Sequence, residues 1–193
     1  MGARDHSHEA LLVVDVQRDF CAGGALEAPN ADAILPALNR HIAEARAKGA
    51  TIYASRDWHP RQTTHFKEFG GEWPPHCVEN TDGAQFHPDL QLPAETIVIS
   101  KGDDPARPGY SAFDGKTDQG RLLLDDLRAR GITKVTVAGL CTDYCVKATT
   151  LDALGGGLDA TVLTDAIAAI NVRPGDAERA LAEMAAAGAT IVR

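Results

Sequence analysis

Residues 139–146 read Gly-Leu-Cys-Thr-Asp-Tyr-Cys-Val and join an apolar run at 134–138 to a helix-like run at 144–154. The apolar run is rich in the β-branched residues that strands favour, so the segment predicts a strand, a tight turn and a helix. Cys145 would then lie in the first helical turn, where free backbone N–H groups and the helix dipole lower a thiol pKa. This makes Cys145 a candidate nucleophile; the alternative is a small residue buried under the helix.

The segment is one of several strand–helix units along the chain. Further apolar runs predict strands, and helical spacing with glycine stops predicts the helices between them. Six strands that alternate with helices predict a three-layer α/β fold whose sheet is mostly parallel and is covered on both faces. We expect one domain, residues 10–193, after a flexible polar tail at residues 1–9. The predicted strands are 10–14, 51–55, 96–100, 134–138, 160–163 and 190–192, and the helices run from about 32 to 48, 119 to 130, 144 to 154 and 174 to 188.

Charge and composition restrict the partners and the compartment. The formal net charge of −8 argues against nucleic acid, which needs a surplus of Lys and Arg on the binding face. No apolar run approaches the length of a membrane span. The four cysteines occur without a secretion signal, which favours free thiols in a reducing cytoplasm. The sequence leaves monomer and homo-oligomer equally open.

Four residues that can do chemistry each follow a different predicted strand: Asp15, Asp57, Lys101 and Cys145. Parallel strands end at one edge of their sheet, and ligands bind there, so we expect these side chains to meet. A cysteine that attacks an amide needs a base for its proton and an acid for the departing amine. Asp15 can serve as both if the cation of Lys101 and burial tune it. Taken singly, Asp15 could instead be a turn residue and Lys101 a surface charge.

An irregular region at residues 56–93 carries a second candidate site. In Asp57-Trp58-His59 the first and third side chains project to the same side of an extended segment. With His76 they could bind Zn, Fe or Mn through three ligands, and His65 is a possible fourth ligand. The alternative is a set of histidines in a polar surface loop. Pocket walls are expected from the aromatic residues Phe20, Trp58, Trp73 and Tyr110, with core packing equally compatible with Trp58.

Six motifs occur in one order along nearly the whole chain. They are Asp-Val-Gln-x-Asp-Phe after the first strand, Asp-Trp-His-Pro, Trp-Pro-Pro-His-Cys-Val, Ser-Lys-Gly, Tyr-Ser-x-Phe and Gly-Leu-x-Thr-Asp-Tyr-Cys-Val. With this ordered set the chain resembles the nicotinamidase/pyrazinamidase branch of the isochorismatase-like cysteine hydrolases. The resemblance implies that fold for the whole domain.

The resemblance also implies roles for individual residues. Asp15, Lys101 and Cys145 match the catalytic triad of the family. Its metal ligands match Asp57, His59 and His76, and His65 resembles the fourth ligand of the pyrazinamidase-type members of actinobacteria. The Leu140–Cys141 peptide bond would be cis, and the backbone N–H groups of Cys141 and Cys145 would form the oxyanion hole. Cys141 stands where the family usually has Ala. The substrate pocket is expected to include Phe20, Trp73, Tyr110 and Tyr144.

The activity implied is hydrolysis of nicotinamide to nicotinate and ammonia through a thioester on Cys145, with one divalent metal ion and with pyrazinamide accepted as an analogue. Three alternatives stay open at this point. One is another amide or ureido hydrolase of the same superfamily. Another is a metallohydrolase in which metal-bound water attacks and Cys145 is structural. The third is a non-catalytic member of the fold.

Overall fold

The computed structural model describes residues 8–193, and residues 1–7 of the predicted tail lie outside the described part of the chain. The described residues form one sheet of seven strands. The first strand begins at Glu9, one residue before the predicted start of the domain. The strands are β1 (Glu9–Val14), β2 (Thr51–Asp57), β3 (Ile97–Lys101), β4 (Lys116–Thr117), β5 (Lys134–Leu140), β6 (Asp159–Ala168) and β7 (Thr190–Val192).

The sheet has the order β4-β3-β2-β1-β5-β6-β7, and every pairing is parallel except the antiparallel pairing of β3 with β4. The predicted fold class is confirmed, whereas the predicted count of six strands is wrong by one. The additional strand, β4, has only two residues, Lys116 and Thr117, and lies at the edge of the sheet. A polar pair of this length carries no alternating pattern, so it gives no strand signal in the sequence.

In the described part of the chain, four α-helices cover the sheet: α1 (Leu35–Ala47), α2 (Leu123–Ala129), α3 (Lys147–Gly155) and α4 (Asp176–Ala186). The first helix begins later than predicted, because residues 31–34 form a 3₁₀ turn and Pro36 lies in the first turn of α1. The second begins at Leu123 because Gly120 has a positive φ of 76° and Leu122 bridges back to Lys116. The predicted helix at 144–154 is split, since residues 142–146 form a π-helical turn before α3.

The central strand β1 separates two apolar cores. Leu11 and Val13 face one core with α1, whereas Leu12 and Val14 face the other with α2, α3 and α4. Successive side chains of a strand point to opposite faces, so a strand buried on both faces reads as a continuous apolar run. The carboxyl ends of β1, β2, β3 and β5 consequently share one edge of the sheet. None of the described helices is both long and apolar enough to cross a membrane.

Candidate active site

The shared edge of the sheet brings together the four residues predicted to meet there. Asp15 directly follows β1, Asp57 and Lys101 end β2 and β3, and the π-helical turn after β5 carries Cys145. Asp57 and Lys101 are partners in the strand register. All four side chains are buried, and Asp15 and Lys101 are completely so. The neighbouring strands, rather than a local motif, therefore create the site.

Lys101 lies at the centre of this group. Its Nζ is 2.8 Å from Asp15 Oδ2, 2.5 Å from Asp57 Oδ1 and 3.5 Å from Cys145 Sγ. It also donates to the carbonyl of Gly109 at 3.1 Å. The other oxygen of Asp15 accepts a hydrogen bond from Ser55 Oγ at 2.7 Å. Sequence reasoning did not assign a role to Ser55; the available signal was a hydroxyl residue within the apolar run of β2.

The protonation states of these groups differ from the sequence-based expectation in one respect. Burial raises the pKa of the Cys145 thiol well above its ordinary value, and Lys101 opposes this only in part. The expected lowering of that pKa is therefore wrong. Burial also raises the pKa of Asp15, although Lys101 pulls it downward. A neutral thiol thus lies beside a carboxylate that is more basic than an exposed aspartate.

The ion pair with Lys101 determines the direction of the pKa shift of Asp57. Burial alone would raise the pKa of Asp57, but the Lys101 ammonium and the neighbouring His59 hold it well below its usual range. Burial likewise acts to lower the pKa of Lys101, yet Asp15 and Asp57 keep it well above its ordinary value. Lys101 and Asp57 are accordingly charged near neutral pH.

Two histidines on the far side of Asp57 are held through their Nδ1 atoms. His59 Nδ1 lies 3.0 Å from the carbonyl of Gly102, and His76 Nδ1 lies 2.8 Å from the carbonyl of Pro74. A carbonyl only accepts, so each Nδ1 carries a hydrogen, and Nε2 is the ring nitrogen that remains for a metal. His59 Nε2 is buried without a hydrogen-bond partner among the described residues and lies 3.6 Å from Asp57 Oδ2.

His65 completes a cluster with these two residues. One ring nitrogen from each of His59, His65 and His76 lies within 4.8 Å of the others, and the ring of His65 stacks on that of His59 with centroids 4.6 Å apart. Burial lowers the pKa of His65 to about 3, with the two neighbouring histidines adding to the effect, and burial also lowers the pKa of His76. Imidazole nitrogens and a carboxylate form a donor set that fits Zn, Fe or Mn.

A second group of ligand-type atoms lies nearby but is organised differently. Asp15, Asp57 and Cys145 also offer atoms within 4.8 Å of one another. The Lys101 ammonium contacts all three, so the positive charge that this group needs is already supplied by the chain. The histidine cluster with Asp57 is therefore the better candidate metal centre.

A cavity of about 20 Å³ borders both the candidate nucleophile and two of the three histidines. Its lining includes Phe20, Trp73, Tyr110 and Tyr144, together with Cys145, His65 and His76. Trp73 Nε1 donates to Tyr110 Oη at 2.9 Å, and its ring meets Tyr144 edge-on at 4.9 Å between centroids. Sequence reasoning did not assign Leu26 and Ile170, which also line the cavity, because single apolar residues in loops give no distinguishing signal.

Trp58 does not line this cavity, so its expected place in the pocket wall is wrong. Its side chain packs against the core on the α1 side of the sheet. The guanidinium of Arg56 lies 3.8 Å from the centre of its ring. Neighbouring side chains on a strand point to opposite faces, which explains why Asp57 enters the site and Trp58 does not.

The turn between the two amides expected to form an oxyanion hole is well defined. The Leu140–Cys141 peptide bond is cis, as the resemblance implies. The carbonyl of Cys141 accepts hydrogen bonds from the N–H groups of Tyr144 and Val146, both at 3.1 Å. These bonds hold the segment from Cys141 to Cys145 in a fixed conformation.

Residues 9–193, nearly the whole chain, match the family model described as the isochorismatase domain. The chain belongs to the isochorismatase family. Within that family it is 43% identical to the nicotinamidase of Escherichia coli (strain K12), over 94% of this chain and 93% of the relative.

Solved structures of isochorismatase-family proteins have the same fold. The crystal structure of pyrazinamidase from Pyrococcus horikoshii in complex with zinc has a TM-score of 0.89 and 47% sequence identity, covering 96% of this chain and 99% of that chain. The crystal structure of PnC1 from L. infantum in complex with nicotinate has a TM-score of 0.83 and 32% identity, covering 97% and 93%. The similarity extends over nearly the full length of each.

Proposed function

We propose that this chain is a metal-dependent cysteine amidohydrolase that converts nicotinamide to nicotinate and ammonia and also hydrolyses pyrazinamide. The observation that carries the proposal is a cavity whose lining contains both the thiol of Cys145 and the imidazoles of His65 and His76. A flat heteroaromatic amide has a ring nitrogen at one end and a carboxamide at the other, so it could use a metal held by the histidines and the thiol together. The names of the relatives, nicotinamidase and pyrazinamidase, support the same substrate class.

The proposed metal centre consists of His59, His65, His76 and Asp57, which would hold one Zn, Fe or Mn ion. When bound, that ion would supply a Lewis-acid contact for the ring nitrogen of the substrate. The aromatic side chains around the cavity would fix the plane of the ring. The carboxamide carbon would then face the thiol of Cys145.

The chemistry proposed for the chain's own residues begins with the thiol proton. Asp15 takes this proton while the sulfur of Cys145 forms a bond to the carboxamide carbon. Lys101, 3.5 Å from the sulfur, stabilises the negative charge that develops there. The backbone N–H groups of Cys141 and Cys145 donate to the carbonyl oxygen as it becomes an oxyanion, an interaction that contributes about 3 kcal/mol per donor in comparable enzymes.

The second half of the proposed reaction uses the same acid. Asp15 returns its proton to the departing amine as the C–N bond breaks, which releases ammonia and leaves a thioester on Cys145. Water then gives a proton to Asp15 and attacks the thioester. Cleavage of the C–S bond releases the acid product, which loses its remaining proton to solvent, and Asp15 returns its proton to the thiolate of Cys145.

A substrate panel tests this proposal against the alternatives. Wild-type protein and Cys145→Ala are incubated with nicotinamide, pyrazinamide, isochorismate and ureido compounds, and products are identified by mass. We expect nicotinate and ammonia from the wild type and no turnover by the variant. Turnover only of a ureido compound would replace the substrate assignment. Substantial turnover by Cys145→Ala would instead favour attack by metal-bound water, and none by either protein would favour a non-catalytic role.

The proposal includes a small-molecule partner and a reducing compartment. All four cysteines are free thiols, which supports work in the cytoplasm. The net charge of −8 supports the expectation that nucleic acid is not a partner.

A further inference from the structure

Gln17 is a completely buried amide next to the candidate metal centre, and it makes three hydrogen bonds. Its Nε2 donates to the carbonyls of Asp57 and Ala84 at 2.8 and 2.9 Å. Its Oε1 accepts the N–H of Asp57 at 2.8 Å. The side chain therefore binds both backbone groups of one residue, Asp57, and ties that residue to a third segment.

The sheet itself leaves this backbone position without a partner. Pairing of β1 with β2 ends at Val14 and Ser55, and Asp15 makes the last backbone bond to Ser55 at 3.1 Å. The backbone groups of successive residues in a strand point to opposite neighbours, so Asp57, two residues after Ser55, points its N–H and C=O in the same direction as Ser55. At that position β1 has already turned away and offers no partner. Buried backbone groups without partners are costly. The amide of Gln17 takes the place that the next residue of β1 would have occupied.

Asp19, two residues after Gln17, also binds a backbone group next to a proposed metal ligand. Its Oδ2 accepts the N–H of Cys77 at 2.7 Å. Cys77 directly follows His76, has a positive φ of 44°, and its carbonyl accepts the N–H of His59 at 3.0 Å. A Cβ at Gly83 would lie 2.2 Å from Asp19 Oδ1, so glycine there leaves room for the carboxylate.

We propose that Gln17 and Asp19 are positioning residues for the metal centre, acting through the backbone of Asp57 and of Cys77. Gln17 sets where the Asp57 carboxylate points, while Asp19 orients His76 and, through the Cys77 carbonyl, His59. Both belong to the segment that follows Asp15, so the proposed general base and the proposed metal ligands are held by one piece of chain. This role rests on the proposed function, because it requires a metal at these ligands.

A purely structural role is the competing explanation, and the chain contains a control for the type of contact. Asn39 also uses its side-chain amide to bind two backbone groups, donating to the carbonyl of Asp89 and accepting from the N–H of Gln91, both at 2.9 Å. These residues lie away from the histidine cluster. Asn39→Leu therefore removes the same kind of contact without touching the backbone of a proposed ligand.

The test measures metal affinity separately from stability. Metal-free wild type, Gln17→Met, Asp19→Ala, Asp19→Asn and Asn39→Leu are titrated with Zn²⁺ in competition with a chromophoric chelator, and the melting temperature of each metal-free protein is recorded. We expect Gln17→Met and Asp19→Ala to weaken Zn²⁺ binding about 10- to 100-fold, the usual effect of removing a group that orients a ligand. Asp19→Asn keeps one acceptor oxygen for the Cys77 N–H and should weaken Zn²⁺ binding about three- to tenfold. Asn39→Leu should bind Zn²⁺ within about twofold of the wild-type affinity, with a smaller loss of melting temperature because its two hydrogen bonds are exposed.

The outcomes separate this role from the proposed function. Unchanged Zn²⁺ affinity in Gln17→Met and Asp19→Ala would overturn the positioning role alone, as would an equal loss in Asn39→Leu. Failure of the wild type to bind Zn²⁺, Fe²⁺ or Mn²⁺ would overturn the proposed metal centre, and the positioning role with it. If Gln17→Met yields no folded protein, the comparison of Asp19→Asn with Asn39→Leu decides by the same criteria.

Discussion

The ammonium of Lys101 lies 2.8 Å from Asp15 Oδ2, and both side chains are completely buried. The same ammonium contacts Asp57 beside the histidine cluster. One cation is therefore shared between the carboxylate proposed to move the proton and a carboxylate proposed to hold the metal. Two neighbouring buried carboxylates repel each other, and the positive charge of Lys101 between them compensates this repulsion.

Replacement of Lys101 by Met should consequently damage both stability and activity. It leaves Asp15 and Asp57 buried without their cation, and breaking a buried pair in this way costs about 3–5 kcal/mol. Urea denaturation measures the change in the free energy of unfolding, and ammonia release measures activity. Lys134→Met is the control, since its half-exposed pair with Glu9 spans 3.4 Å and should contribute about 1 kcal/mol at most. Similar losses in the two variants would contradict the assigned role of Lys101.

Cys141→Ala should remain active. Only the backbone N–H of Cys141 is assigned a role in the oxyanion hole, and alanine supplies the same group. We expect a rate within about threefold of wild type and a stability loss of roughly 1 kcal/mol for the small buried cavity. Ammonia release and thermal unfolding check both expectations. Activity as low as that of Cys145→Ala would show that the Cys141 side chain takes part.

Chelation should remove activity and lower thermal stability together. A metal that binds only the folded protein stabilises it by about 2.7 kcal/mol at a free concentration 100 times its Kd. We therefore expect dipicolinate to lower the melting temperature, and added Zn²⁺, Fe²⁺ or Mn²⁺ to restore it. His65→Ala should reduce this metal-dependent shift, whereas His41→Ala should not, because His41 lies outside the cluster, with its Nε2 3.0 Å from Asp165 Oδ1. Equal shifts in the two variants would exclude His65 as a ligand.

The small size of the cavity gives an expectation for Trp73. A space of about 20 Å³ holds roughly one water, so a pyridine ring enters only if the walls move. Trp73 and Tyr144 also line an outer groove of about 540 Å³, which places them between the cavity and solvent. Trp73→Ala should raise KM for nicotinamide about tenfold, with a smaller change in kcat, because stacking on the ring is lost.

Tyr110→Phe is the control for that measurement. It keeps the ring at position 110 and removes only the hydrogen bond to Trp73 Nε1, so a change of about threefold is expected. Steady-state kinetics with nicotinamide and pyrazinamide measure both variants. An unchanged KM in Trp73→Ala would remove Trp73 from the substrate pocket.

The acid stability of the fold should depend on Asp126. This buried carboxylate accepts hydrogen bonds from Tyr53 at 2.7 Å, Arg121 at 2.9 Å and Arg130 at 2.7 Å. Burial alone would raise its pKa, but the bonds from Arg130 and Tyr53 hold it below the usual 3.8. The unfolded chain therefore binds the proton more readily, and the stabilisation is complete above the unfolded pKa and is lost as pH falls through the folded one.

Asp126→Asn tests this sign. The variant should be less stable than wild type near neutral pH, and the difference should shrink as the pH falls below about 4. Urea denaturation between pH 3 and pH 7 gives the free energy of unfolding of each protein. A difference that stays constant over this range would show that the charge of Asp126 contributes nothing to stability.

The sequence by itself determined the features that follow from its hydrophobic pattern and from the parallel direction of the strands. Continuous apolar runs such as 10–14 predict strands buried on both faces, and parallel strands end at one edge. The meeting of Asp15, Lys101 and Cys145 was therefore predictable without coordinates. The family could also be predicted from the sequence, because six of its motifs occur in order along the chain.

Tertiary structure alone decided the details that depend on neighbours distant in sequence. Burial raises the pKa of Cys145, and the charges of Asp15 and Asp57 add to this, although its local position predicted a lowered pKa. The two-residue strand β4 exists only because β3 offers it a partner, and Gln17 acquires its role where β1 turns away from β2. Desolvation and hydrogen bonding depend on which groups come together in three dimensions. The hydrophobic periodicity of the sequence does not indicate these contacts between distant residues.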